Sequence, residues 1–319
     1  MHRPYRHRPL SRRERAGVRG CSVHQSLNTW RSQREQWPRT FPRIIMVRKS
    51  GHRPIRTYGN TDRGTTRTLR DEKKLVHVAG LDAVEALFAT SPERIARLFF
   101  EPSLKGKTSD MCVALALDHK PYRVVRSDEL EKIAGTSMHG GIVALADPRP
   151  VLELDTLQAE EWAKAGEPLL VLDGIGNPHN LGAIVRTAAF FGLKRLVVSG
   201  HPESALPSDA AYRVARGGLE HVAVYRAEKI ADALKRLKKA YLVVGAALSE
   251  KGKPMAAYRG GPRPLCVVLG NEEEGLPRET LAACEGIVTL AGAGAVQSLN
   301  VAATAAILVH EMVGGGTRG

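Results

Sequence analysis

Four short apolar runs constrain the fold of this 319-residue chain more than any other feature: residues 168–173 (PLLVLD), 194–199 (KRLVVS), 241–246 (YLVVGA) and 264–270 (PLCVVLG). Each is nearly continuous in Val, Leu and similar residues instead of alternating with polar ones, so both faces of each strand must be covered. Between and after them lie segments with helical periodicity at 181–191, 227–239 and 276–284, the second basic and amphipathic. Such alternation predicts an α/β fold with a parallel sheet and helices on both faces. Further strands are expected at 222–225 and 287–290, and a last helix in 296–311 (VQSLNVAATAAILVHE), apolar enough to be expected buried. Ligands of such sheets gather beyond the strand carboxyl ends, which here means the loops after Asp173, Gly270 and Leu290.

A smaller pattern precedes this one. Residues 77–80 (HVAG) lead into a helix at 81–88, followed by a strand at 95–100, a helix at 111–117 and a strand at 122–125. A short helix at 127–134, capped by Ser127 or Asp128, and a glycine-started strand at 139–144 (HGGIVA) complete it. The reading is a compact α/β module over 74–146, a linker with a short helix over 147–166, and the main domain over 167–319.

The net charge of +14 is not a property of either part. Residues 1–70 hold 18 Lys or Arg against Glu14, Glu35 and Asp62, a surplus of 15, which leaves the other 249 residues at −1. Without a hydrophobic period and dense in Arg, Pro, Ser and Thr, this tail is expected to be disordered and to act as an electrostatic arm for RNA. A competing reading opens the frame at Met46 and makes the preceding residues irrelevant. No run of 18 apolar residues occurs and the first residues do not resemble a secretory signal, so a cytoplasmic protein without membrane attachment is expected. Cys21, Cys112, Cys266 and Cys284 lack the spacing of metal ligands, which predicts no metal site and reduced thiols.

Three loops carry the chemistry. The first, DGIGNPHNLGAIVRT from Asp173, has Gly174 and Gly176 but places His179 where a dinucleotide fingerprint needs its third glycine. Asn180 fits an N-cap, Leu181, Ile184, Val185 and Ala188 form the buried stripe, and Arg186 is long enough to reach back toward the loop. A surface ion pair is the plain alternative for Arg186. In the second loop, LGNEEEGLP, Gly270 and Gly275 permit tight turns and close approach of a ligand to main chain, and the three glutamates suit a helix start. In the third, Gln297, Ser298 and Asn300 precede an Ala-rich helix that Ser298 or Asn300 can cap.

Together NPHNLGAIVRTA, LGNEEEGLP and AGAGAVQSLNVAA resemble, in order and spacing, the three motifs of the SpoU/TrmH family of S-adenosylmethionine-dependent RNA ribose 2′-O-methyltransferases. Residues 74–146 resemble the L30e-like substrate-binding domain often attached to it. The resemblance implies a SPOUT domain whose C-terminal segment forms a deep trefoil knot, a bound S-adenosylmethionine, a homodimer that builds the active site, and rRNA or tRNA as substrate. It also implies Asn180, Arg186, Glu272, Ser298 and Asn300 as the catalytic set, with Gly270, Leu290 and Leu299 as cofactor contacts. His179, Glu273 and Gln297 receive no role. Arg186 would stabilise the developing 2′-alkoxide, since a guanidinium is hard to deprotonate. Glu272 would fix Arg186, Asn180 and Asn300 would orient Arg186 and ribose, and Ser298 would cap the last helix. A catalytically silent RNA-binding or ribosome-assembly protein, and a nicotinamide oxidoreductase, are the alternatives from other classes.

Overall fold

The computed structural model describes residues 75–314 apart from Ala293, Val296 and Gln297. The basic tail over 1–70 therefore lies outside the described residues. Two sheets are present among the described residues. The first holds β1 (Val76–Ala79), β2 (Ile95–Phe100), β3 (Tyr122–Val124) and β4 (Ile142–Ala146) in the order β1-β4-β2-β3. Only the β2–β3 pair is parallel; β4 runs antiparallel to both β1 and β2. Its helices are α1 (Leu81–Thr90), α2 (Lys105–Leu117) and α3 (Ser127–Ala134).

Three of the expected local features differ. Helix α2 begins well before residue 111, with Lys105, Lys107 and Thr108 in its first turns. Neither Ser127 nor Asp128 caps α3: Arg126 occupies the cap position with no side-chain bond, and Asp128 and Glu129 in the first turn offset the dipole instead. The stretch expected to be a linker is built into the larger layer. Its β5 (Leu152–Glu153) pairs with the strand Ala223–Ala227, and α4 (Thr156–Lys164) buries Ala159, Trp162 and Ala163. Asp155 starts α4 by accepting a bond from Leu157 N.

The second sheet is seven-stranded and wholly parallel, in the order β11-β9-β10-β6-β7-β8-β5. It comprises β5, β6 (Leu169–Leu172), β7 (Arg195–Ser199), β8 (Ala223–Ala227), β9 (Leu242–Ala246), β10 (Leu265–Leu269) and β11 (Gly286–Val288). Its helices are α4, α5 (Pro178–Phe190), α6 (Asp209–Ala215), α7 (Ile230–Leu237), α8 (Arg278–Ala283) and α9 (Val301–Val313). The continuous apolar strands have the expected cause. Leu170 and Leu172 of β6, with Val267 and Leu269 of β10, enter one core with Leu181, Ile184 and Leu308; Leu169, Val171, Cys266 and Val268 enter another with Trp162, Leu234 and Leu237. The first core is continuous with the small sheet through Val78, Leu98 and Ala144. Sequence periodicity missed α6, a seven-residue helix in a segment of mixed polarity.

Helix α9 is not fully buried. Val301, Ala305, Leu308 and Val309 are covered, while Ala303 and Ile307 are exposed, Ile307 by 39%. Among the described residues no helix is long and apolar enough to cross a membrane.

Candidate active site

The parallel register sets the site. Leu172 of β6 lies beside Leu269 of β10, so the first two motif loops leave adjacent strand ends together. Asp173 N donates to Leu269 O at 2.8 Å, and the buried Asp173 carboxylate accepts from Thr280 Oγ1 of α8 at 2.7 Å. Gly174, with φ of 77°, then turns the chain, and its N–H donates to Ser199 Oγ at the end of β7. Asn271 ties the second loop to the first through Nδ2 on Gly174 O at 3.0 Å, while its Oδ1 accepts from the N–H groups of Glu273 and Glu274.

The loop's own turn requires a glycine at 270. A Cβ there would stand 2.4 Å from the carbonyl carbon and oxygen of Gly275, and Asn271 and Gly275 exchange both backbone hydrogen bonds across the turn. The glutamates do not open a helix either. Helix α8 begins only at Arg278, with Glu279 in its first turn, so Glu272, Glu273 and Glu274 stand exposed on the loop.

The N-cap of α5 is Asn177, not Asn180: Asn177 Oδ1 accepts from His179 N at 2.8 Å, and Pro178 occupies the first turn, where its missing donor costs nothing. Asn180 is thereby free to face the loops. Its Nδ2 donates to Glu272 Oε1, and its Oδ1 accepts from Asn300 Nδ2 at 3.2 Å. Asn300 meanwhile caps α9 by accepting from Ala302 N at 2.8 Å. One side chain from each of the three loops therefore joins in a single hydrogen-bonded chain, Asn300 to Asn180 to Glu272. Ser298 does not cap α9; it is exposed, two residues before the cap.

These groups border a cleft of about 460 Å³ lined by Asp173, Asn177, Asn180, Asn271, Glu272 and neighbouring residues, including His201 and Glu203 on the loop after β7. His201 and Glu203 were not singled out in the sequence, because nothing in their spacing marks them. The volume falls in the ordinary range for small-molecule sites. Five carboxylates, Asp173, Glu203, Glu272, Glu273 and Glu274, line it, an electrostatic match for a cationic ligand. Of the expected cofactor contacts, Gly270 adjoins the lining residue Asn271, Leu290 is half-buried after β11, and Leu299 is 54% exposed beside Asn300.

Arg186 does not join them. It is exposed on α5 and lines a separate depression of about 610 Å³ with Thr187, Phe190, Phe191, His221 and Ala306. Glu272 is engaged by Asn180 and not by Arg186, so the expected Glu272–Arg186 contact is not formed within one copy of the chain. Elsewhere, burial raises the pKa of the Cys266 and Cys284 thiols, Cys284 to about 11, which keeps them protonated and unsuited to nucleophilic work.

Comparison with known proteins identifies a family. Residues 167–310 match the model of the SpoU rRNA Methylase family, and residues 77–152 match that for RNA 2′-O ribose methyltransferase substrate binding. The chain is 34% identical over 238 residues to the 23S rRNA (guanosine-2′-O-)-methyltransferase RlmB of Acinetobacter baylyi, covering 73% of this chain and 94% of that protein. It is also 34% identical over 245 residues to the uncharacterized tRNA/rRNA methyltransferase YfiF of Escherichia coli O157:H7, covering 76% of this chain and 69% of that one. Among solved structures, an AdoMet-bound rRNA methyltransferase from Sinorhizobium meliloti shares the fold with a TM-score of 0.61 at 22% identity, over 76% of this chain and 88% of that one.

Proposed function

Because the chain belongs to the SpoU rRNA methylase family, we infer that it is an RNA ribose 2′-O-methyltransferase using S-adenosylmethionine, with rRNA or tRNA as substrate. The observation that carries this reading is the Asn300–Asn180–Glu272 chain, which gathers the three motif loops at the carboxyl ends of one parallel sheet. The acid-lined cleft beside it, bordered by Asn271, Glu272, Glu273, Glu274, Gly275 and Pro277, suits a cationic sulfonium cofactor, and the family resemblance adds Gly270, Leu290 and Leu299 as its contacts. S-adenosylmethionine, when bound, supplies an electrophilic methyl group.

The protein must do the rest. A ribose hydroxyl is a weak nucleophile, so the site has to align it and favour the negative charge that develops on its oxygen. Asn180 and Asn300 offer neutral amides that can orient ribose, with Glu272 holding the Asn180 amide in place. Ser298, exposed next to them, is a second polar contact for ribose or cofactor. Arg186 supplies the fixed positive charge for the alkoxide, and solvent or phosphate takes the proton.

That role needs a second copy of the chain. Arg186 shares its depression with Phe190, which is 82% exposed, and with Ala306 of α9, whose neighbour Ile307 is also exposed. A homodimer packed on this α5 and α9 face buries those side chains and completes the site from two copies. The family resemblance adds a knotted C-terminal segment, and the tail over 1–70 adds charge for RNA backbone. The modules are assigned to 74–146 and 167–319.

The test is transfer of labelled methyl from S-adenosylmethionine to RNA from cells lacking the protein, with nuclease digestion to locate the label. Label in 2′-O-methylnucleosides is expected. Label in the base, or no transfer despite cofactor binding, overturns the reading, the second outcome in favour of a silent RNA-binding protein.

A further inference from the structure

The 3-10 turn Gly218–Glu220, just after α6, touches three parts of the molecule at once. Glu220 has no exposed side-chain surface. Its Oε2 accepts from Arg94 Nη1 at 2.6 Å and lies 3.5 Å from Arg149 Nε. Arg94 belongs to the small sheet's unit, immediately before β2; it also donates to Tyr212 Oη of α6 and to Asp147 O. Arg149 donates to Leu219 O, within the turn itself. Beside this cluster, His77 of β1 is bound twice to Asp209, the first residue of α6, through N and Nδ1 at 3.0 and 2.7 Å.

The start of the turn is packed as closely. A Cβ on Gly217 would stand 2.8 Å from Ala86 Cβ of α1, and one on Gly218 would stand 3.1 Å from Arg186 Cα. This short stretch therefore rests on the small sheet's helix, on the backbone of Arg186, and on a buried ion cluster reaching into the small sheet.

We propose that Glu220 is a positioning residue: it clamps the RNA-binding module to the backbone that carries Arg186, so that RNA held on the small sheet is presented to the site at one fixed distance. This rests on the reading of Arg186 given above. A buried ion cluster is a poor source of net stability, since apolar side chains of similar volume often do as well or better. What charged, directional bonds from two guanidinium forks add is a defined geometry. The stretch over 147–166 is tied into the same cluster by Arg149, so the two modules have no free hinge between them at this point.

The experiment uses the full chain with Glu220→Gln, which keeps shape but removes the charge, and Arg94→Lys, which keeps the charge but not the fork. Amide hydrogen exchange is read first. Faster exchange appearing together in β1 and in α5 around Arg186 is expected in both variants; a change confined to one side overturns the coupling, whether or not RNA is methylated. Single-turnover methylation at saturating RNA, with RNA from cells lacking the protein as probe, is then expected to fall roughly ten- to a hundredfold, the scale of a small misalignment at the reacting atoms. Calorimetric affinity for S-adenosylmethionine should stay within about twofold. A rate equal to wild type, or one reduced only in proportion to a weakened cofactor affinity, overturns the proposal. A wild-type protein that transfers no methyl to RNA sinks the functional reading alone, and the exchange result still decides the coupling.

Discussion

Arg186 is exposed on α5, and Glu272, the partner expected to hold it, is engaged by Asn180. In the proposed reading the two residues act on different parts of the reaction and should fail differently. Arg186→Ala should lower single-turnover methylation about 100- to 1000-fold, the usual loss when one preorganised charge-stabilising group is removed. Cofactor affinity in calorimetry should be retained, because Arg186 does not border the acidic cleft. Arg186→Lys should be nearly as impaired, a compact ammonium being no substitute for a planar fork. Near-normal turnover by Arg186→Ala would remove it from the mechanism. The motifs singled these residues out, but their pairing was not legible. Asn180 was expected as a cap because Asn commonly caps; Asn177 three residues earlier took that task, since Pro178 must sit in the first turn.

Helices α5 and α6 meet through a glycine whose purpose the sequence does not announce. A Cβ on Gly182 would stand 2.6 Å from Ala211 O and 2.8 Å from Val214 Cβ, so α6 lies directly on the α5 backbone. Gly182→Val should destabilise the protein by about 2 kcal/mol or more through overpacking, seen as a fall in Tm of at least about 4 °C for a chain of this size. Gly106, inside α2, has nothing within 4 Å of its missing Cβ. Gly106→Ala should instead gain up to about 1 kcal/mol, since Gly is the poorer helix former. Equal effects of the two changes in thermal unfolding would show that the close approach of α6 has no energetic weight. Helix and strand existence followed from periodicity, whereas α6 carried too short and too mixed a pattern. Its identity comes from what it packs on, the small sheet through Asp209 and α5 through Ala211.

At the scale of the whole molecule, the exposed pair Phe190 and Ile307 marks the face on which a second copy is proposed to sit. The wild-type chain is expected to be a dimer in light scattering at micromolar concentration, and Phe190→Asp a monomer that still binds S-adenosylmethionine; a wild-type monomer would contradict this. Removing residues 1–70, and with them a surplus of 15 positive charges, should flatten the salt dependence of RNA binding by about 0.7–0.9 in slope for each phosphate that the shortened chain no longer neutralises. An unchanged slope would leave the arm without a role in binding. By itself the sequence determined the parallel α/β layer, the three motif loops at its strand ends, and the family, because apolar period and motif spacing are local and survive without tertiary packing. Only the tertiary structure decided that 147–166 is part of the sheet layer, that Gly270 serves its own turn, that Asn180 bridges Glu272 and Asn300, and that Glu220 joins the two modules. Nearly all of these join residues far apart in the chain, and hydrogen-bond partners are chosen by whatever the packed sheet brings within about 3 Å, not by neighbours in sequence.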